Sequence, residues 1–181
     1  MTLLAAALLA GCASRDLDGP YVLTTGLSGA SQLDWGAVPH TLVVTTPTGA
    51  IQVDGAGVQT PVAVAPRRQT PLRHDAVLSI RTSAGVVWID AAGTLRTNEA
   101  VVLGGLREPR ALTCDRGERT YLVAGVPEPA LYRVELGVLV LIAEWVGPVT
   151  GITWGPGGWL GERMLYLVRS DGVLEYLEPP P

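Results

Sequence analysis

The strongest constraint on this chain is that it repeats. Four segments read as a strand, a short turn and a second strand, usually closed by an acid: TLVVTTPTGAIQVD from Thr41, AVLSIRTSAGVVWID from Ala76, TYLVAGVPEPALYRVE from Thr120 and MLYLVRSDGVLEYLE from Met164. Gly49, Gly85, Ala130 and Gly172 take the equivalent place after the turn, at spacings of 36, 45 and 42 residues. Alternating and β-branched residues bounded by Gly and Pro predict strands rather than helices. A period of this size marks an array of stacked units, each too small to bury its own apolar face.

Each hairpin also has neighbours. ASQLDW from Ala30, RALTCD from Arg110 and TGITWG from Thr150 align upstream, with Leu33/Trp35, Leu112/Cys114 and Ile152/Trp154 on one face by the two-residue period. In the second unit the upstream stretch is APRRQTPLRH, a degenerate inner strand. A further strand follows three hairpins: VQTPVAVA from Val58, NEAVVLGGL from Asn98 and VLVLIAEWV from Val138. Four strands in about 40 residues is the arithmetic of a β-propeller blade. The stretches GLREPRALTCDRGERTYLVAG and GPVTGITWGPGGWLGERMLYLVRSDGVLEYL resemble blades of NHL- or YVTN-type propellers, over roughly Pro20 to Pro179, without the Trp-Asp ending of WD repeats. A β-sandwich is the competing architecture.

The fourth unit stops at EYLEPPP with no outer strand after it, whereas YVLTTGL near the N-terminus matches the outer-strand segment VVLGGL from Val101. Leu27 stands as far before Leu33 as Leu106 before Leu112. The fold expected is therefore all-β: a small propeller of four blades in which Tyr21–Thr25 completes the last blade and closes the ring. Closure removes the open sheet edge that would template aggregation. It also favours a monomer over two four-blade arcs joined in a larger ring.

The N-terminus carries an address. Leu3 to Ala10 is an apolar run too short to span a bilayer, followed by small residues in the manner of a secretory signal. It ends in Leu9-Ala10-Gly11-Cys12, which resembles the lipobox of bacterial lipoproteins, although no Lys or Arg precedes the run. In that family the signal is cut before the Cys, which then carries diacylglycerol and an N-acyl chain. The resemblance implies a signal peptide over 1–11, lipid attachment at Cys12, a tether over 12–19 and a folded domain over 20–181. Several acyl chains anchor stably where one is marginal. Ala13 rather than Asp after the Cys implies, in a Gram-negative host, the outer membrane facing the periplasm.

Composition narrows function by exclusion. All 13 basic residues are Arg, and the net charge of −4 lacks the basic excess of a nucleic-acid binder. With Cys12 lipidated, Cys114 has no disulfide partner and reads as a small buried hydrophobe. GPGGWLGE from Gly155 has no Lys to make a phosphate-cradling loop. GLSGA from Gly26 resembles a nucleophile elbow, but Ser28 precedes a strand where that motif needs a helix. His40 and His74 each precede a hairpin and are expected on one rim, as solvated turn residues without partners at metal-ligand spacing. Arg67, Arg68, Arg73, Arg107, Arg110, Arg116 and Arg119 are interleaved with Asp75, Glu108, Asp115 and Glu118. That pattern reads as a salt-bridged rim, or more sharply as a site for an anionic partner. Trp154 and Trp159 are either interface contacts or packing groups.

No catalytic residue, cofactor or metal site is expected. The reading is a membrane-anchored binding or scaffolding module with the lipid membrane and an envelope protein as partners. A hydrolase or lyase with its active site at the channel mouth is the alternative.

Overall fold

The computed structural model describes residues 18–178 apart from 37, 39, 64–71, 99, 116–118, 126–128, 145–147 and 157–161. Among the described residues sixteen strands form four four-stranded antiparallel sheets. Blade 1 is β2 (Gln32–Trp35), β3 (Thr41–Thr46), β4 (Gly49–Asp54) and β5 (Gln59–Val62). Blade 2 is β6 (Ala76–Thr82), β7 (Gly85–Asp90), β8 (Leu95–Thr97) and β9 (Val101–Leu103). Blade 3 is β10 (Arg107–Cys114), β11 (Thr120–Gly125), β12 (Pro129–Glu135) and β13 (Val138–Glu144). Blade 4 is β14 (Val149–Pro156), β15 (Glu162–Arg169) and β16 (Leu174–Glu178), completed by β1 (Asp18–Thr24).

The sheets form a four-bladed β-propeller whose inner strands β2, β14, β10 and β6 pack in that order around a channel. The expected closure is present: β1 pairs antiparallel with β16, Tyr21 opposite Tyr176 and Val22 opposite Glu175. The Tyr21 and Tyr176 rings add an aromatic contact at 5.4 Å. Of the stretch expected as a tether, residues 18 and 19 belong to β1. The expected equivalence of Leu27 and Leu106 also holds. Both are buried in the linkers leaving an outer strand, and each amide donates at 3.0 Å to the carbonyl of the glycine turning strand two into strand three, Gly172 and Gly93 respectively.

Blade 2 corrects the sequence reading. AVLSIRTSAGVVWID is not the middle hairpin of its unit; β6 is the inner strand, and APRRQTPLRH contributes none among the described residues. Gly85 therefore joins strands one and two, where Gly49 and Gly172 stand between strands two and three. Ala130 lies inside β12, opposite Ala124, rather than at a turn. The misplacement has a local cause. Thr46-x-x-Gly49 and Thr82-x-x-Gly85 make the same two-residue turn, each Thr Oγ1 donating to the glycine carbonyl, at 2.9 and 3.4 Å. In each case an aspartate follows, Asp54 or Asp90, whose Oδ1 accepts two amides of the next turn at 2.9–3.0 Å. The same hairpin module is thus built into the sheet one strand further in.

Three seams between blades are apolar. Blades 3 and 4 meet through Ala111, Tyr121, Val123 and Leu131 against Ile152, Trp154, Leu165 and Leu167. Blades 4 and 1 meet through Tyr166, Val168 and Leu174 against Leu33, Leu42, Val44 and Val53. Blades 2 and 3 meet through Val87, Ile89 and Leu95 against Leu112, Leu122 and Tyr132. Burial pushes the Tyr166 phenol far above its ordinary pKa, with its hydroxyl 3.4 Å from Met164 Sδ. No such cluster joins blades 1 and 2 among the described residues.

Candidate functional site

Strand pairing explains why the seam between blades 1 and 2 differs. Successive strand residues point to opposite faces, and in blade 1 the apolar set Leu33, Leu42, Val44 and Val53 is spent on blade 4. The opposite face carries Gln32, Asp34, Val43, Thr45 and Gln52, as the register requires. In blade 2, Leu78, Ile80, Val87 and Ile89 face blade 3. Ser79, Arg81, Val86 and Trp88 are left on the other face.

The inner strands superpose by their place along the channel. Leu33, Leu112 and Ile152 occupy the position held in blade 2 by Ser79; two residues on, Trp35, Cys114 and Trp154 correspond to Arg81. Where the other blades put apolar groups that seal a seam, blade 2 has a hydroxyl and a guanidinium. Two cavities among the described residues lie along the channel. The smaller, about 140 Å³, is lined by the beginnings of all four inner strands, from Ser31, Val77, Arg110 and Thr150 onward. The larger, about 350 Å³, lies further along the strands, with Asp34, Ser79, Arg81, Thr113 and Thr153 as its polar groups. Leu33, Leu112, Ile152 and Leu72 supply apolar wall.

The end of the linker between blades 1 and 2 lies on this face. The Leu72 amide donates to Ser79 Oγ at 2.8 Å, and the Arg73 guanidinium sits 4.3 Å from the Trp88 ring centroid, a cation–π contact. Under that cover Trp88 is 5% exposed. The adjoining seam is knit by direct bonds instead: Trp35 Nε1 donates to the Trp154 carbonyl at 2.6 Å, and Thr150 Oγ1 to the Ala30 carbonyl at 2.8 Å.

The residues singled out in the sequence are scattered by this arrangement. Cys12, Arg67, Arg68, Arg116, Glu118 and Trp159 lie outside the described residues, as does most of the Gly155–Glu162 stretch. Ser28 is an exposed turn residue. His40 follows the inner strand of blade 1 and His74 precedes that of blade 2, so they stand at opposite ends of the channel, not on one rim as expected. The cause is again the one-strand displacement of blade 2. Cys114 is half-buried, its sulfur 3.4 Å from Thr120 Oγ1. Trp154 is a packing group of the seam between blades 3 and 4. The arginine stretch is salt-bridged where it is described: Arg73 to Asp75 at 3.4 Å, Arg110 to Glu108 at 3.1 Å and Arg119 to Asp115 at 2.7 Å. Each pair has at least one partner open to solvent, which weakens its contribution to stability. Arg81, absent from that stretch, is the group the sequence reading missed. Its place in the cavity became visible only once blade 2 was in register.

No protein-family profile matches the chain, and no curated protein does. Among solved structures the chain is similar to BBS1N, crystallised in complex with ARL6DN, at 14% identity and a TM-score of 0.47, covering 82% of this chain and 46% of that one. The Myceliophteria thermophila Cps50 (Swd1) β-propeller domain matches at 13% identity and a TM-score of 0.41, over 83% of this chain and 51% of that one. The PQQ-bound aldose sugar dehydrogenase of Streptomyces coelicolor matches at 11% and 0.38, over 87% and 96%. The chain spans about half the length of the first two. At these identities and scores no activity or partner transfers.

Proposed function

We propose that this protein is an extracytoplasmic lipoprotein whose propeller is a binding or scaffolding module, held at a membrane by acylated Cys12. The observation that carries the reading is the position of the closing strand. β1 starts at Asp18, six residues beyond the lipobox Cys12. At about 3.3–3.6 Å per residue, six residues can span at most roughly 20 Å. The anchor then leaves from the outer edge of blade 4, the blade tied to blade 1 through β1 and Leu27. Blades 2 and 3 are left to meet an envelope partner.

The test is mass spectrometry of the mature N-terminal peptide together with fractionation of a Cys12→Ser variant. A diacylglyceryl-modified, N-acylated Cys12 and loss of the variant from the membrane fraction are expected. An unmodified thiol at Cys12 overturns the anchor. Cross-linking from intact envelopes tests the module, the expected result being one reproducible protein partner.

A further inference from the structure

We infer that the larger channel cavity, lined by all four inner strands and opening beside the polar face of blade 2, is a docking site for an acidic peptide segment of a partner protein, with Arg81 meeting its carboxylate. The inference rests on the binding-module reading and says which surface does the binding. Its first support is the substitution pattern. Three seams are sealed by apolar side chains, and at the fourth the sealing positions are Ser79 and Arg81. Trp88 is buried on this face, but at the inner strand the seam has a hydroxyl and a cation turned to the channel in place of apolar groups.

The second support is charge. Among the described residues Arg73, Arg96, Arg110, Arg119, Arg133 and Arg169 each have a carboxylate within salt-bridge reach. Arg81 and Arg107 do not, and Arg81 lines the larger channel cavity. Arg81 is exposed. Asp34 shares the cavity but makes no ion pair with Arg81 and has interactions of its own. It does restrict where a carboxylate can enter, favouring the blade 2 side of the opening. There the Ser79 hydroxyl, which accepts the Leu72 amide, keeps its own proton to donate.

Size and lining give the rest. A volume of about 350 Å³ admits one or two side chains of an extended segment, at the small end of ligand pockets. Leu33, Leu112, Ile152 and the half-exposed Leu72 suit an apolar residue beside the acidic one. A chain of net charge −4 presenting one unpaired guanidinium here suits a single carboxylate better than a polyanion.

The test is selection of a random heptapeptide display library against the full mature protein, followed by titration of the selected peptides. Enrichment of Asp or Glu beside an apolar residue is expected. Arg81→Gln should weaken those peptides by about ten- to a hundred-fold, while Arg107→Gln leaves them unchanged. Thermal midpoints of both variants should match the parent, which separates lost binding from lost folding. Selected peptides lacking acidic residues, peptides that bind Arg81→Gln equally, or an empty selection overturn the inference. If the envelope partner cross-links equally to the parent and to Arg81→Gln, the module reading stands and this site falls. If the parent captures neither partner nor peptide, both fall.

Discussion

The seam between blades 3 and 4 and the seam between blades 1 and 2 join the same kind of sheet in opposite ways. At the first, the Tyr121 and Trp154 rings meet tilted, centroids 4.9 Å apart, inside a cluster in which Leu165 and Leu167 are fully buried. At the second, Gln32, Asp34 and Gln52 face toward Ser79 and Arg81, and a piece of linker lies over Trp88. A propeller needs its blades sealed somewhere, and here the β1–β16 pairing and three apolar seams suffice. The remaining seam has no apolar cluster among the described residues and carries polar groups into the channel. Stability and recognition are divided between two sides of one ring.

The largest effect should come from breaking the closure itself. Deleting residues 18–24 removes β1 and bares the edge of β16, and calorimetry should show cooperative loss of the folded state or a fall in thermal midpoint of many degrees. An unchanged midpoint would refute the role given to β1. Next comes Leu165→Ala in the sealed seam, which should cost about 2–5 kcal/mol in denaturant unfolding. Gly93→Ala should cost about 1–3 kcal/mol, because its φ is +74° and a Cβ there would lie 2.0 Å from the Leu106 carbonyl oxygen. Ser79→Ala and Arg81→Gln, at the open seam, should change stability by no more than about 0.5 kcal/mol. Comparable losses at both seams would erase the distinction between them.

Acid titration offers a subtler probe, placed at a turn rather than a seam. The hydrogen bond from the Arg96 guanidinium, followed by those from the Thr94 and Ala92 amides, holds the Asp90 carboxyl below its ordinary pKa. A depressed folded-state pKa gives stability that is complete above the unfolded value of about 3.9 and is lost as pH falls through the folded one. Asp90→Asn should therefore flatten the acid limb of the stability–pH curve below about pH 4. A curve that keeps its full slope in the variant would show that the turn is not its source.

Much of this was legible from residues alone. The four-blade count, the Leu27/Leu106 equivalence and the use of Tyr21–Thr25 to finish the last blade all follow from alternation and spacing, whereas β8 in blade 2 was not legible. These are local properties carried over a short repeat. The cavity was not legible. Asp34 and Arg81 belong to no motif, and nothing in the local pattern brings them together.

Blade 2 shows where the division falls. The module from Thr46 to Val58 and the module from Thr82 to Thr94 share Thr, Gly, Asp and Gly at identical spacing, and each folds through hydrogen bonds within its own turns. That much is determined by sequence, because the partners lie within a few residues of each other. Which strand of the module becomes the inner edge depends on contacts distant in sequence. In blade 1, Leu42 and Val53 are drawn against Tyr166 and Leu174. In blade 2, Ile89 and Leu95 are drawn against Leu122 and Tyr132, and the Gly93 turn against the Leu106 linker. The same local hairpin thus takes two places in two blades, and tertiary packing alone turned Arg81 toward the channel.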